Sequence, residues 1–292
     1  MEESDQLIQT LSKRGTLSVR AIDASRTVTE ASKQHKTSPL ATVALGRALM
    51  AALLLAGRSK TQESIQLSFE GVGSLKRISA IADDLGNTRG FVSNPRVGLD
   101  DPSLGLSVGK AIGGGTLSVI RLRPNWKEPY TGIVLLESGE IAEDIARYLL
   151  ESEQIPSVIA LGVHLRRDGE VASAAGFLAQ ALPGFEDDEI QTLEMNASQV
   201  QNPSQLSEQG MSPHEMCKRL LRGLNHRGFY HKKVQFHCDC SLERARMGAS
   251  LLPKSELIEM VEIGKNVEIR CEFCTSTFSI DPREVIQIKR IG

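Results

Sequence analysis

Four of the five cysteines lie in two short clusters near the end of the chain. Cys238 and Cys240 form a Cys-x-Cys pair, thirty residues follow, and Cys271 and Cys274 form a Cys-x-x-Cys pair. Two close pairs of thiolates that the fold brings together are a usual ligand set for a tetrahedral zinc ion. The spacing therefore predicts one zinc site with these four cysteines as its ligands.

The Cys-x-Cys pair is tighter than the usual spacing of a zinc site, and this allows a second chemistry. Two sulfurs so close together can share a metal, but they can also oxidise to each other within a small ring. Such a ring is strained, and strained disulfides are the labile, regulatory kind. A permanent structural zinc site and an oxidisable one both stay open. Secreted disulfides are a weaker alternative, because five cysteines leave one over.

Length and charge restrict the class of protein. With 292 residues and a hydrophobic content of 40%, the chain has room for one large domain and one or two small ones. The formal net charge of −2 argues against binding nucleic acid or an acidic membrane over the whole surface. Such binding needs many Lys and Arg side chains to neutralise phosphates.

The start of the chain and its longest apolar run bear on location. The segment Met1 to Asp5 is acidic and lacks the basic and apolar parts of a secretory signal. The run from Ala48 to Ala56 is too short to span a bilayer, and Arg47 and Arg58 bracket it. We therefore expect a cytoplasmic protein with reduced thiols and no membrane partner.

The first part of the chain mixes strand and helix patterns. Ser38 and Pro39 are the N-cap and first-turn proline of an Ala- and Leu-rich helix that Gly57 ends. Its nearly continuous apolar surface predicts a central core helix. Another helix is predicted over 140–152. Alternation of polar and apolar residues predicts strands over 16–22, 64–69, 75–82, 88–93, 116–122, 130–136, 157–165 and 171–182.

Pro183 and Gly184 mark the first strong boundary. Two helices follow, one ending near Val200 and one running from Ser212 to Leu224. Their apolar residues are too few for a core of their own, so they must pack on another surface and would be sticky if detached. These residues are Ile190, Leu193, Met195, Met216, Leu220 and Leu221.

A group of basic residues precedes the cysteine clusters. Nucleic-acid contact is one interpretation. We favour a solvated face that complements the acidic residues 186–189, because few aromatic residues are nearby to stack on bases. Cys217 lies within the preceding predicted helix, and its default assignment is a small buried hydrophobe. The basic residues are Lys218, Arg219, Arg222, Arg227, Lys232 and Lys233.

The last part of the chain is short. Ser241 caps a helix to Leu252, a second helix ends at Gly264, and strands over 266–270 and 277–280 flank the second cysteine pair. A unit of about sixty residues is too small for a sufficient core. Metal binding would therefore supply part of its folding free energy.

The sequence resembles the bacterial 33 kDa heat-shock protein family, the redox-regulated holdase chaperones, over nearly the whole chain. The most specific match is Cys-x-Cys combined with Cys-x-x-Cys at this spacing. Cys217 is an extra thiol whose role the family pattern does not settle. The other matches are Tyr130-Thr131-Gly132, Ser138 to Asp144, Tyr148-Leu149, Ser152-Glu153-Gln154, Ala174 to Phe177 and Leu182-Pro183-Gly184.

The resemblance implies an α+β fold. It implies a large N-terminal mixed sheet-and-helix domain over 1–183, a helical linker over 184–230 and a small C-terminal zinc-binding redox-switch domain over 231–292. It also implies an ATP-independent chaperone that is inactive while it is reduced and bound to one zinc ion. On oxidation the family pattern gives disulfides Cys238–Cys240 and Cys271–Cys274, loss of zinc, an unfolded linker, and a homodimer that holds unfolded or misfolded clients.

Two other classes compete with this interpretation. A zinc-ribbon nucleic-acid binder would bind a duplex in a salt-dependent way through residues such as Lys232 and Lys233. An enzyme is disfavoured, because four cysteine ligands leave no open position for water and the zinc deaminase motif is absent. A thiol oxidoreductase would place its Cys-x-x-Cys at a helix N-terminus, whereas Cys271 follows a predicted strand. We expect neither catalysis nor a specific nucleic-acid partner.

Overall fold

The structure, a computed structural model, describes residues 5–57, 63–99 and 101–291. Residues 1–4, most of the acidic start discussed above, and Arg58 lie outside the described residues. Two compact units are present, Met1–His237 and Cys238–Gly292. The chain has the predicted α+β character, with sheets and helices mixed in the first unit and a small unit at the end.

Two sheets form the framework of the first unit. Its strands are β1 (Gln6–Leu11), β2 (Leu17–Asp23), β3 (Ser64–Gly71), β4 (Arg77–Asp83), β5 (Asn87–Val92), β6 (Gly115–Leu122), β7 (Tyr130–Leu135), β8 (Ser157–Leu165), β9 (Val171–Ala181), β10 (Tyr230–Lys233) and β11 (Gln235–Phe236). The five-stranded sheet has the order β10-β1-β2-β9-β8, and the six-stranded sheet has the order β11-β5-β4-β3-β6-β7. Neighbouring strands are antiparallel, except that β11 runs parallel to β5.

Helix α2 (Pro39–Ala56) is the central core helix that the sequence predicts. The Ser38 side chain accepts a hydrogen bond from the Ala41 N–H, Pro39 stands in the first turn, and Gly57 ends the helix with a positive φ of 49°. The helix packs on strands of both sheets. It is long and apolar enough to cross a membrane, but 89% of its residues are buried inside the protein, as in the core helix of a globular domain.

The remaining helices of the first unit are α1 (Ser25–His35), α3 (Val108–Ile112), α4 (Ile141–Glu151), α5 (Asp187–Ala197), α6 (Pro203–Glu208) and α7 (Pro213–Leu220). The predicted strands and the helix near 140–152 are present, with ends shifted by a few residues. Strand β1 and helix α1 have no counterpart in the sequence prediction, because their apolar residues follow neither period cleanly. The short elements α3, α6, β10 and β11 were not predicted either. Leu75 is buried in the turn before β4 rather than within the strand.

Helices α6 and α7 pack on the five-stranded sheet, and α5 packs on α7, so the residues after Gly184 have the external support that their composition requires. Leu193, Met216 and Leu220 are buried among residues of that sheet. The expectation that Met195 packs in the same way is wrong, because its side chain is 61% exposed. It lies on the outer side of α5.

The first compact unit extends through β10 and β11. Strand β10 pairs with β1, with Gln6 opposite Lys233, and β11 adds two residues beside β5. Both strands are short additions at sheet edges. The first compact unit therefore ends at His237. The sequence analysis instead predicts that the C-terminal domain of the protein starts at residue 231.

The second unit contains α8 (Leu242–Ala249), α9 (Lys254–Glu262), α10 (Pro282–Ile291) and an antiparallel hairpin of β12 (Val267–Arg270) and β13 (Thr277–Ile280). The first predicted helix is shorter than expected, and α10 was not predicted. Six buried side chains form its core, namely Ala245, Ala249, Leu257, Val267, Ile280 and Val285. Such a small core supplies little free energy of unfolding.

Candidate metal centre

The four clustered cysteines meet at one point in the second unit. The Sγ atoms of Cys238, Cys240, Cys271 and Cys274 all lie within 4.8 Å of one another. Cys238 Sγ is 3.8 Å from Cys271 Sγ, and Cys240 Sγ is 3.1 Å from Cys274 Sγ. All four cysteines are free thiols in the structure.

Local backbone structure positions the second pair. Cys271 follows the last residue of β12, and a tight turn returns the chain to β13. The Thr275 N–H donates to the Cys271 carbonyl at 2.8 Å, and the Cys271 N–H donates to the Ser276 carbonyl at 2.9 Å. Thr275 has a φ of 60°, the left-handed conformation that reverses the chain. This turn points both sulfurs of the pair inward.

The first pair lies at the entrance to α8. The Ser241 side chain accepts a hydrogen bond from the Arg244 N–H and so caps the helix directly after Cys240. The chain is not helical between Cys238 and Cys240. The cap thus fixes the end of the Cys-x-Cys segment.

The thiols influence one another's ionisation. Burial raises the pKa of the Cys238 thiol, and charge on Cys271 raises it further. Burial also raises the pKa of Cys240, to about 11. Burial alone would raise the pKa of Cys274, but hydrogen bonds from Ser276 and Cys240 outweigh it and lower the pKa to about 7. One thiol ionises readily and others resist, which is expected where like charges crowd without a cation.

The donor set fits a soft divalent metal. Four bonds of roughly 2.3 Å to a tetrahedral zinc ion place the sulfurs about 3.8 Å apart. The Cys238–Cys271 distance has this value, and the other sulfurs need only small shifts. A cation would also remove the repulsion that opposes ionisation of all four thiols. These residues are therefore able to hold a metal ion.

Cys217 is separate from this centre. It is fully buried on α7, and its Sγ lies 3.7 Å from the carbonyl oxygen of Ile8 on β1. Burial raises the pKa of its thiol to about 12. The prediction of a small buried hydrophobe is confirmed.

Two of the basic residues have structural partners. The Lys232 ammonium donates to the carbonyl oxygens of Gly57 and Asp84, at 2.6 and 2.5 Å. The Arg227 guanidinium donates to the carbonyl oxygens of Lys13 and Arg14. These contacts secure β10 and the segment just before it, so these two side chains belong to the fold.

The acidic residues 186–189, at the start of α5, do not pair with the basic residues as we expected. Glu186 forms an ion pair with Arg14, and buried Glu189 accepts a hydrogen bond from Thr16. Both contacts tie the start of α5 to the segment that leads into β2. The run thus anchors this helix instead of complementing the basic residues.

The sequence analysis did not predict the surface that lies beneath the linker helices, α5 to α7. One cluster of buried hydrophobic residues lies between these helices and the sheet. About half of its members belong to the five-stranded sheet, and half come from residues after 184. On the sheet side it contains Ile8, Leu17, Val19, Ala21, Ala175, Phe177, Ala179 and Ala181. The available sequence signal was the nearly continuous run of apolar and small residues along β9. A strand with such a run is buried on both faces, and each face needs a covering element.

Comparisons with known proteins agree with this architecture. The family model described as Hsp33 protein matches residues 5–281. The 33 kDa chaperonin of Symbiobacterium thermophilum is 39% identical over 289 residues, covering 98% of each chain. That of Geobacter sp. (strain M21) is 35% identical and covers 98% of this chain and 97% of its own.

A solved structure is also similar. The crystal structure of the 33 kDa chaperonin (Heat shock protein 33 homolog) from Thermotoga maritima matches with a TM-score of 0.90 and 30% sequence identity. The match covers 99% of this chain and 100% of the other.

The fold and the centre together define an α+β protein with a separate C-terminal unit that contains four clustered cysteines, and the comparisons identify it as a chaperone. The chain belongs to the Hsp33 family of 33 kDa chaperonins. Its relatives are named as chaperonins rather than as enzymes.

Proposed function

We propose that this chaperone is a redox-regulated, ATP-independent holdase of the cytoplasm. It is inactive while Cys238, Cys240, Cys271 and Cys274 are reduced and bind one zinc ion, and oxidation activates it. The observation that carries the proposal is the shared core between the linker helices and the five-stranded sheet. Removal of those helices would uncover apolar surface on both partners, and exposed apolar surface binds unfolded chains.

Zinc would hold the four sulfurs as thiolates and join the two cysteine-bearing segments. Thiolates are the form that oxidants attack. Each pair loses two electrons to a peroxide, which takes up two protons from solvent and leaves as two waters. Two peroxides therefore convert the four thiolates into two disulfides and remove every metal ligand.

The proposed pairs are Cys238–Cys240 and Cys271–Cys274, as the family resemblance implies. Each of these disulfides closes a ring within one short segment and leaves the two segments unlinked. Disulfides between the segments would instead tie β12 and the start of α8 together. Structural zinc in small domains contributes roughly 10–16 kcal/mol of apparent binding free energy, so its loss without a replacement link favours unfolding of residues 238–292.

Unfolding would reach the linker through the chain itself. Cys238 follows β11 by one residue, and the His237 N–H donates to the carbonyl oxygen of Thr88. Strands β11 and β10 are short and lie at sheet edges, where pairing is easily lost. Release of β10 also breaks the Lys232 contacts with Gly57 and Asp84. Helices α5 to α7 then lose the segment that follows them.

The partners of the oxidised form would be unfolded or misfolded proteins and a second copy of this chain. The uncovered sheet face and the freed helices are both apolar, which favours association of two activated chains. We propose no membrane and no specific nucleic-acid partner. The structural roles of Lys232 and Arg227 reduce the basic surface available for phosphates.

The test oxidises the zinc-loaded protein with hydrogen peroxide under mild warming. We expect zinc release, two disulfides with the proposed pairing by peptide mass spectrometry, a doubled mass by light scattering, and suppression of aggregation of a denatured client. Cys217→Ala is the matched control and should respond as the wild type does. Equal suppression by the reduced, zinc-loaded protein would refute a redox switch.

A further inference from the structure

A cavity of about 430 Å³ lies at the C-terminal end of α2. It belongs to the first compact unit, whereas the four clustered cysteines belong to the second. Side chains from both sheets line it. Its charged residues are three arginines and two glutamates, a formal excess of one positive charge. Its polar lining includes Arg20, Arg121, Arg123, Glu63, Glu153 and Gln180.

The two glutamates already have cationic partners. Glu63 accepts from Arg121 at 2.8 Å and from Arg123 at 3.0 Å, one arginine on each oxygen. Glu153 Oε1 accepts from Arg121 and from the Tyr148 hydroxyl, both at 2.9 Å. Both carboxylates are thus already paired with arginines. Little acceptor capacity is left for a cationic ligand.

Arg20 is different, because no carboxylate pairs with it among the described residues. Its Nη1 donates to the Leu54 carbonyl at 2.8 Å and to Gln180 Oε1 at 3.2 Å. Its Nε is buried and has no hydrogen-bond partner in the part of the chain that the structure describes. Burial lowers the pKa of this guanidinium to about 10, and the Arg121 charge adds to the effect, so Arg20 is still protonated at neutral pH. A buried cation without an anion is costly.

The guanidinium is also held in place. Gly57 has a positive φ, and a Cβ there would lie 2.8 Å from Arg20 Cζ and 3.0 Å from Nε. The bare main chain can therefore pack against Arg20, while Nη1 is fixed by Leu54 and Gln180. A preorganised guanidinium loses little entropy when it binds a planar or tetrahedral oxyanion.

We propose that this cavity binds a small-molecule carboxylate or phosphate through Arg20. The Gln180 amide N–H groups and the partly exposed Arg123 guanidinium supply further donors from the same cavity wall. The groups with unused hydrogen-bonding capacity here are mainly donors, which matches a ligand that carries only acceptors. The volume is sufficient for a small metabolite of either class.

The experiment measures binding to the full-length reduced protein by isothermal titration calorimetry. Inorganic phosphate and succinate are the two probes, succinamide is the uncharged control, and chloride keeps the ionic strength constant. We expect saturable one-to-one binding of phosphate or of succinate and none of succinamide. The better probe identifies the class of oxyanion.

Variants locate the binding. Arg20→Gln should weaken the better probe about tenfold or more, since a charge-assisted hydrogen bond is lost. Arg47→Gln removes another partly buried arginine, one that pairs with Glu140 outside the cavity, and should change the affinity less than about twofold. Arg123→Gln, at the partly exposed wall, should weaken binding severalfold and covers the case in which Arg20→Gln does not fold.

Two results would overturn the proposal. One is the absence of saturable binding of both anions to the wild type. The other is unchanged affinity in variants that circular dichroism shows to be folded. Neither result bears on the redox switch, which is measured by zinc release and client aggregation.

Discussion

Cys217 and Cys274 are both buried, but they are different thiols. Cys217 lies on the buried side of α7 in an apolar core, and burial raises its pKa to about 12, so it stays protonated at neutral pH. Cys274 lies among three other sulfurs, and hydrogen bonds outweigh burial to lower its pKa to about 7. Oxidation requires the thiolate. Of these two buried thiols, Cys274 is therefore the one that oxidants can attack, although composition treats all five cysteines alike.

Substitution of one clustered cysteine should abolish tight metal binding. Cys274→Ser removes one of four sulfur donors, and we expect the zinc content of the purified protein to fall well below one ion per chain. Cys217→Ala should retain one ion per chain. The measurement is zinc release to a chromogenic chelator after thiol modification. A full complement of zinc in Cys274→Ser would contradict the assignment of Cys274 as a ligand.

Asp144 should make stability depend on pH in the acidic range. It is fully buried, and its Oδ1 accepts from the Glu137 and Ser138 N–H groups. Its Oδ2 has no hydrogen-bond partner among the residues that the structure describes. Burial raises its pKa above the usual 3.8. The folded state therefore binds this proton more tightly than the unfolded chain, and that contribution to stability is lost as the pH rises through the raised pKa.

Asp144→Asn keeps the acceptor and removes the charge. Between about pH 4 and pH 7 we expect the unfolding free energy of the variant to rise relative to that of the wild type. Urea denaturation of both proteins at each pH, followed by circular dichroism, measures this difference. If the difference in unfolding free energy between the two proteins stays constant across this pH range, Asp144 keeps its ordinary pKa in the folded protein.

At the scale of elements, α7 is a short helix that depends on the sheet on which it packs. A capping box between Ser212 and Glu215 starts the helix, and Pro213 stands in its first turn. With eight residues it is too short to be stable by itself, so packing on β1 and β2 maintains it. This dependence is what makes the helix a suitable cover for an apolar surface.

Weakening this packing should activate the reduced protein. Leu220 is fully buried, and Leu220→Ala should destabilise the docked linker by about 2–5 kcal/mol. We expect Leu220→Ala to suppress client aggregation without oxidation and to be cut faster by protease within residues 184–237. Met195→Ala, at an exposed position on α5, should behave as the wild type does. A Leu220→Ala protein that is cut faster within residues 184–237 but does not suppress aggregation would separate linker release from chaperone activity.

At the scale of the whole molecule, the two compact units differ in what stabilises them. The first contains a helix buried between two sheets, whereas the core of the second consists of a few side chains and four sulfurs. Stability should therefore be uneven along the chain.

Removal of the metal should unfold one unit and spare the core of the other. After chelation under reducing conditions, we expect amide hydrogen exchange to increase strongly in β12, β13 and α8. Amides of β2, β9 and α2 should stay protected. Exchange that increases equally in both units would contradict the separation, and exchange unchanged in residues 238–292 would show that the metal is not needed for folding there.

Much of this protein was predictable from sequence where the information is local. The cysteine spacing identified the four sulfurs that the structure brings together. The Ser38 cap, Pro39 and Gly57 defined α2 nearly to the residue, because caps and helix breakers act within one turn. Family motifs distributed along the chain indicated the architecture.

Tertiary structure decided what depends on residues distant in sequence. The pairing of Gln6 with Lys233 leaves no local pattern, since edge strands of this length carry no periodicity. Amphipathic spacing did not distinguish buried Leu193 from exposed Met195, because the position of the supporting sheet determines which side of α5 is covered. Arg20 and Arg121 line one cavity only because two sheets meet at the end of α2.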